Sequence, residues 1–202
     1  MRAMDLMSQP VVTVGPQDPV GDAAALLARR GFTALPVVNP AGELVGIVTE
    51  ADVMRERIQP DPRSGQTLAT APPQTVGEVM TTDVAVMTKG SDVAEVARRM
   101  LGERLRAIPI VDGDPVGNQL VGIVTRRDLM RCIGRDDALV AADVRHRLEI
   151  YGGPGRWTVT ADAGRVTITD EYDDPTDLHV AHVLAAAVPG VASVQVSGGV
   201  RR

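Results

Sequence analysis

The chain has 202 residues, enough for one large domain or two small ones, and 44% of them are apolar. Aromatic residues make up only 2%, so the core must be built from Val, Leu, Ile, Ala and Met. The net charge is −5, Lys89 is the only lysine and no basic block occurs, which argues against a nucleic-acid surface; no apolar run approaches the roughly 18 residues of a membrane span. Cys132 is the sole cysteine, so no internal disulfide can form, and "MRAMDLMSQP" lacks an apolar run of export-signal length. These features predict a cytoplasmic protein.

The first segment, "DLMSQPVVTV" at 5–14, reads as an opening strand and returns as "EVMTTDVAVM" at 78–87. Residues 18–38, "DPVGDAAALLARRGFTALPVV", lie over residues 91–111, "SDVAEVARRMLGERLRAIPIV". Asp18 and Ser91 stand where helix caps belong, and Pro19 suits a first helical position. Val20, Ala23, Ala24 and Leu27 recur at helical spacing, as do Val93, Val96, Ala97 and Met100. Gly31 reads as a helix stop. The β-branched runs "ALPVV" and "AIPIV" follow, and Pro36 and Pro109 within them suit a strand start or edge. A turn comes next, "NPAGE" in one copy and the longer "DGDPVGNQ" at 112–119 in the other. Then "LVGIVT" appears in both copies, followed by helices expected at 50–58 and 126–133. Each copy therefore reads strand, helix, strand, strand, helix. Residues 59–75 between them carry four prolines and little periodicity, as a linker does.

Thr49 ends a strand and Asp52 falls on the third residue of the next helix; Thr125 and Asp128 repeat the arrangement. Two readings are open. In one, each pair is a capping box with Asp in place of Glu, contributing about 1 kcal/mol. In the other, the helix starts offer free N–H groups and a positive dipole end to an anion, while the carboxylate suits the two hydroxyls of a ribose. Two equivalent pairs would then make two related nucleotide sites. Arg106 precedes "AIP" in the second copy, where the first has Thr33, so the two sites would differ in phosphate affinity.

The paired "LPVV…LVGIVTxxD" pattern resembles the cystathionine-β-synthase (CBS) domain, and two linked copies resemble a Bateman module, over residues 4–58 and 76–133. The resemblance implies two repeats packed by their sheets about a pseudo-twofold axis. It implies clefts that take an adenosine compound: AMP, ADP, ATP, NAD or S-adenosylmethionine. It implies a ribose role for Asp52 and Asp128 and a ribose or phosphate role for Thr49 and Thr125. It also implies adenine contacts for Phe32, Leu35, Leu105 and Ile108, and a homodimer.

From 135 the pattern changes. "RDDALVAADVRHRLEI" reads as an amphipathic helix with Leu139, Val140, Val144 and Leu148 on one face. "GGPG" at 152–155 is a break, and "RWTVTADAGRVTITDEY" reads as a hairpin about Ala-Gly with Trp157, Val159, Val166 and Ile168 alternating. "DPTDLHVAHVLAAAVPGV" gives a helix with Val180, Val183, Leu184 and Ala187 apolar, and "VASVQVS" a last strand. The hairpin and the run "AAAVPGVASVQV" resemble a BON domain, a family implicated in phospholipid or envelope contact. The expected architecture is α+β: a first repeat at 1–58, a linker at 59–75, a second repeat at 76–134 and a BON-like domain at 135–199.

Other residues carry weaker signals. His179 and His182 share a helix face but lack a third ligand, so no metal is expected. The acidic stretch Asp170, Glu171, Asp173 and Asp174 lacks calcium-loop alternation. Cys132 and His146 have no nucleophile–base partner in view, and no "GxxxxGK" loop occurs, so no enzyme is expected. The leading expectation is a regulatory, non-catalytic adenosine-nucleotide sensor passing occupancy to its C-terminal domain. The alternative is a ligand-free dimerisation scaffold, with membrane contact through the BON-like domain.

Overall fold

The computed structural model describes residues 1–55, 58, 61, 63, 72–112 and 119–199. Most of the expected linker, the end of the 50–58 helix and the 113–118 turn lie outside the described residues. The chain divides into two compact units, Met7–Arg126 and Met1–Leu6 with Arg127–Arg202.

In the first unit, α1 (Val20–Arg30) runs into a hairpin of β1 (Ala34–Val38) and β2 (Leu44–Thr49), and then into α2 (Glu50–Met54). After α3 (Val76–Val79), β3 (Met87–Thr88) leads to α4 (Val93–Gly102) and to β4 (Ala107–Asp112) paired with β5 (Gln119–Thr125). The leading strand of each copy is short. It is two residues of β3 in one and a single bridge, Val14 to Val37, in the other. The expected helix to residue 58 ends at Met54, because Arg55 adopts an extended conformation (φ −61°, ψ 129°).

Gly31 closes α1 in the left-handed region, at φ 62°, as its position predicts. The expected caps shift by one residue. The Asp18 carboxylate accepts the Gly15 N–H at 2.7 Å instead of capping, so Pro19 is the α1 N-cap without a side-chain bond. Ser91 accepts the Thr88 N–H, and Asp92 caps α4 through the Ala94 N–H. Pro109 sits inside the central strand of its sheet, not at a start or edge. It is tolerated because its antiparallel partner Ile123 spends both its N–H and its C=O on Ser8. At that pair the ladder needs no proline donor.

That bond to Ser8 has a twin. Ile47, the partner of Pro36, exchanges both backbone hydrogen bonds with Thr81 at 2.9 Å each. Each copy thus lends the segment before its own helix to the other copy's second strand. The lending continues at 74–77: Val20 N–H donates to Gln74 C=O, Val76 N–H to Asp18 C=O and Gly77 N–H to Pro16 C=O. Val76 is fully buried among Val20, Ala23, Leu27, Leu35, Val37 and Val48 of the first copy. Between the copies, Ala34, Ala107 and Ile123 form a shared apolar seam with Val11 and Ile47 against it. The glycine of each "GIVT" follows from this exchange. A Cβ on Gly46 would collide with Met80 Sδ and press on the Thr81 carbonyl, and one on Gly122 would collide with Met7.

The second unit contains α5 (Arg126–Ile133), α6 (Asp137–Gly152), the hairpin β6 (Trp157–Asp162) and β7 (Arg165–Asp170), α7 (Pro175–Ala186) and β8 (Ser193–Gly198), which joins β7 in parallel. The order helix, strand, strand, helix, strand matches the expectation. Ala163 and Gly164 make the two-residue turn with positive φ at both, the form that fits strand twist. The Asp137 carboxylate, in the first turn of α6, accepts both of their N–H groups at 2.8 and 2.9 Å. Val140, Val144, Leu148, Trp157, Val159, Val166 and Ile168 form the core as read, but Leu139 is 59% exposed. On α7 the buried face is Ala181 and Ala185 rather than Val183, which is 52% exposed. Small residues let the helix lie close to the sheet, which periodicity of large side chains does not register. Cys132 is buried and accepts the Gly190 N–H, while Arg135 donates to the Pro189 carbonyl, fixing the end of α5 to the α7–β8 turn.

Three of the chain's four aromatic residues gather around Arg156. Its guanidinium makes a bidentate pair with Asp170, which is fully buried, reaches Asp177, and lies 4.4 Å from the Trp157 ring and 5.0 Å from Tyr172. Tyr151 donates its hydroxyl to Asp177 at 2.7 Å. Arg156, and then Tyr151, hold the Asp177 carboxyl below its ordinary range, and Asp177 in turn pushes the Tyr151 phenol up. A lowered carboxyl pKa stabilises the fold above the unfolded value near 4, and that contribution is lost as pH falls through the lowered value.

Three outcomes follow for denaturation. Gly46→Ala and Gly122→Ala should each lower urea stability by about 1–3 kcal/mol, since a methyl group must displace packed methionine. Arg156→Ala should cost about 3–5 kcal/mol by leaving Asp170 buried without its cation. Asp177→Asn should flatten the loss of melting temperature on acidification below pH about 4.

Candidate functional site

The T-x-x-D pair of the first copy folds locally as a reciprocal cap. The Asp52 N–H donates to Thr49 Oγ1 at 3.4 Å; the Thr49 N–H and hydroxyl donate to Asp52 Oδ2 at 2.9 and 2.7 Å. Asp52 is 7% exposed and its other oxygen lies 3.8 Å from Arg55. Asp128 is equally buried, at 6%, with Arg131 at 3.7 Å. The capping alternative is therefore present in the first copy, and it fixes the Thr49 side chain at the start of α2.

Next to Thr49 opens a cleft of about 410 Å3, within the size range of small-molecule sites. Both copies build it. The first gives Thr33, Ala34, Ile47, Thr49, Glu50 and Met54. The second gives Thr81, Asp83, Val84 and Ala85 from its lent segment, and Glu103 to Ala107 from the approach to β4. The Ile47–Thr81 bridge positions one wall against the other. Of the expected site residues, Thr33, Thr49, Leu105 and Arg106 come together here. Asp52 stands behind Thr49 within the cap. Leu35 and Ile108 are buried at 1% and 0%, and Phe32 packs against the first copy's core. Thr125 ends β5, and the next residue, Arg126, donates its guanidinium to the Leu105 and Met100 carbonyls.

Glu50, Asp83, Glu103 and Arg104 were not singled out by the sequence. Glu50 Oε2 lies 3.6 Å from Arg106 Nη1, and Glu103 accepts from Arg99. Asp83 becomes a wall residue only through strand exchange, which the copy-by-copy alignment does not reveal. Arg104 takes the left-handed conformation at φ 56°, at the place where the first copy has Gly31. A larger hollow of about 570 Å3, between Gln9–Thr13, Val38 and Gln119–Val121, has no charged wall and none of the expected residues. Among the described residues no His, Cys, Asp and Glu group is arranged to hold a metal, and no helix is long and apolar enough to cross a membrane.

The family model for the CBS domain matches residues 3–58 and 76–135. The chain belongs to the CBS domain family. The CBS domain-containing protein YhcV of Bacillus subtilis is 34% identical over 62% of this chain and 80% of its own length. Inosine-5'-monophosphate dehydrogenase of Methanocaldococcus jannaschii is 32% identical over 76% of this chain, but only 27% of that enzyme. The chain spans less than half of each of several such relatives, between 23% and 42% of their length. Among solved structures, the CBS domain pair of protein MJ0100 in complex with 5'-methylthioadenosine and S-adenosyl-L-methionine is 28% identical, with a TM-score of 0.54 over 66% of this chain and 96% of that one. CBSX2 in complex with AMP is 30% identical, with a TM-score of 0.54 over 64% and 93%.

The cap makes a direct prediction. Thr49→Ala removes one side of the CBS motif's reciprocal bond and should cost about 1 kcal/mol in thermal denaturation, while Thr49→Ser should restore most of it.

Proposed function

We propose that the CBS pair is a regulatory, non-catalytic module that binds an adenosine compound in the cleft beside Thr49. The observation that carries this reading is the cleft itself. It is large enough for a nucleoside, is walled by both repeats, and has the motif threonine at a helix start. Solved CBS pairs that hold AMP or S-adenosylmethionine share the fold over about two thirds of this chain. In this reading Thr49 meets sugar or phosphate, Leu105 and Ile47 give apolar walls for a base, and Arg106 is the cation that meets a phosphate; all four line the cleft. Asp52 acts by holding Thr49; a ribose hydroxyl reaching its second oxygen would share it with Arg55, 3.8 Å away. Thr125 and Asp128 are the corresponding pair for a second site.

A ligand gripping both repeats favours the arrangement in which the walls are correctly spaced, and it shifts the equilibrium only by its differential affinity. The C-terminal unit is the output in this reading. α5 starts one residue after Thr125, and its end is tied through Cys132 and Arg135 to Gly190 and Pro189. In this reading the BON-like unit is an interaction domain, the Bateman resemblance implies a homodimer, and the single cysteine, which allows no internal disulfide, suits the cytoplasm.

The scaffold reading has one observation in its favour: Asp52 Oδ2 is already committed to its own helix start. The two readings separate in a melting experiment. The sensor gains about 2.7 kcal/mol with AMP or S-adenosylmethionine at 100 times the dissociation constant, and Thr49→Ala together with Leu105→Ala abolishes the gain. A dimer whose melting ignores AMP, ADP, ATP, NAD and S-adenosylmethionine leaves the scaffold.

A further inference from the structure

Five ionisable side chains stand on the cleft wall: Glu50, Asp83 and Glu103 against Arg104 and Arg106. The sum is one net negative charge, in a place where a phosphate-binding site needs positive charge. Arg106, the cation expected to meet phosphate, lies 3.6 Å from Glu50. A phosphate entering the cleft competes with that carboxylate for the guanidinium and shares the cleft with Asp83.

The acids are not demanded by the fold. By the alignment of the two copies, Glu50 stands where the second copy has Arg126, Asp83 where the first has Pro10, and Glu103 where the first has Arg30. Both copies build a helix, a hairpin and a following helix around these positions, although the leading strand is β3 in one and a single bridge in the other. Glu50 and Glu103 side chains are about half exposed, at 48% and 50%, so they are available to a ligand rather than holding the interior.

We infer that this cleft selects adenosine compounds of low or positive charge, such as a neutral thioether nucleoside or a sulfonium nucleoside, over nucleoside polyphosphates, with Glu50 and Asp83 as the discriminating residues. The inference rests on the adenosine reading of the cleft given above. The physical cause is Coulombic. A triphosphate brings several negative charges next to carboxylates that solvent screens only in part, whereas a sulfonium centre is attracted by the same groups. Because the wall is partly exposed, the discrimination weakens as salt rises.

The test is calorimetric titration of the full chain with 5'-methylthioadenosine, S-adenosylmethionine, AMP and metal-free ATP at low and high salt. S-adenosylmethionine and 5'-methylthioadenosine should bind about tenfold or more tightly than ATP at low salt, a gap of the size that one or two partly screened charge contacts produce. The gap should narrow at high salt. In Glu50→Gln with Asp83→Asn it should shrink to about threefold or less, ATP gaining and S-adenosylmethionine losing. ATP binding as tightly as the others in the unaltered chain overturns the inference and leaves the adenosine site standing. So does a gap that persists unchanged in the double variant while its melting curve matches the parent's. Binding by none of the four compounds removes the adenosine reading itself, and this inference with it.

Discussion

Two reciprocal backbone bridges, Ile47 with Thr81 and Ser8 with Ile123, govern the arrangement of the CBS pair. Each second strand would otherwise present an unpaired N–H and C=O at its exposed side, and each is completed by a segment from the other repeat. Other features follow from this exchange. The motif glycines leave room for Met80 and Met7. Pro36 and Pro109 are harmless in mid-strand because their partners direct their hydrogen bonds away. Val76, at the head of the second repeat, completes the core of the first. The cleft is a product of the same exchange, since the strand carrying Thr49 and the segment carrying Asp83 are held side by side by the Ile47–Thr81 bonds.

The C-terminal unit has a different organising principle. Its core is a stripe of aliphatic side chains under a three-stranded sheet, but its polar joint is the Arg156 cluster. A buried carboxylate is costly unless its charge is met by well-placed donors, and Asp170 has both guanidinium bonds and the Tyr172 N–H. The same guanidinium reaches Asp177 at the start of α7, so one side chain links the hairpin to the helix that covers it. In a chain with so few aromatics, placing Trp157 and Tyr172 on the faces of one cation is a specific use of them.

Much of the architecture is legible in the sequence, because duplication doubles every local signal. "LVGIVT" read twice gives a strand twice, and Thr49 with Asp52 reads correctly as a reciprocal helix start. The C-terminal hairpin was marked by alternating Trp157, Val159, Val166 and Ile168 around Ala-Gly. What escaped was relational. A copy-by-copy alignment assigns the 78–87 segment to its own repeat, whereas the bridges send it to the other, so Asp83 and Val84 could not be recognised as walls. Leu35 and Ile108 look like base contacts by their place beside the prolines, but strand alternation turns them into the interior. On α7 the large residues suggested one face and the close approach of Ala181 and Ala185 to the sheet selected another. The caps moved by a residue because Asp18 and Ser91 each found a nearer N–H in a preceding turn.

The lip of the cleft carries a trace of how the two halves have diverged. Where the first repeat leaves its helix through Gly31, the second does so through Arg104, with almost the same positive φ. For a residue with a Cβ that conformation costs on the order of 1 kcal/mol, which glycine avoids. The fold alone gives no reason to tolerate the expense, since a glycine serves the same bend in the first repeat. A guanidinium therefore stands at a strained bend on the wall of the cleft, so the duplicated halves are not interchangeable parts: exchanging one lip for the other would change the charge of that wall while leaving the backbone path intact.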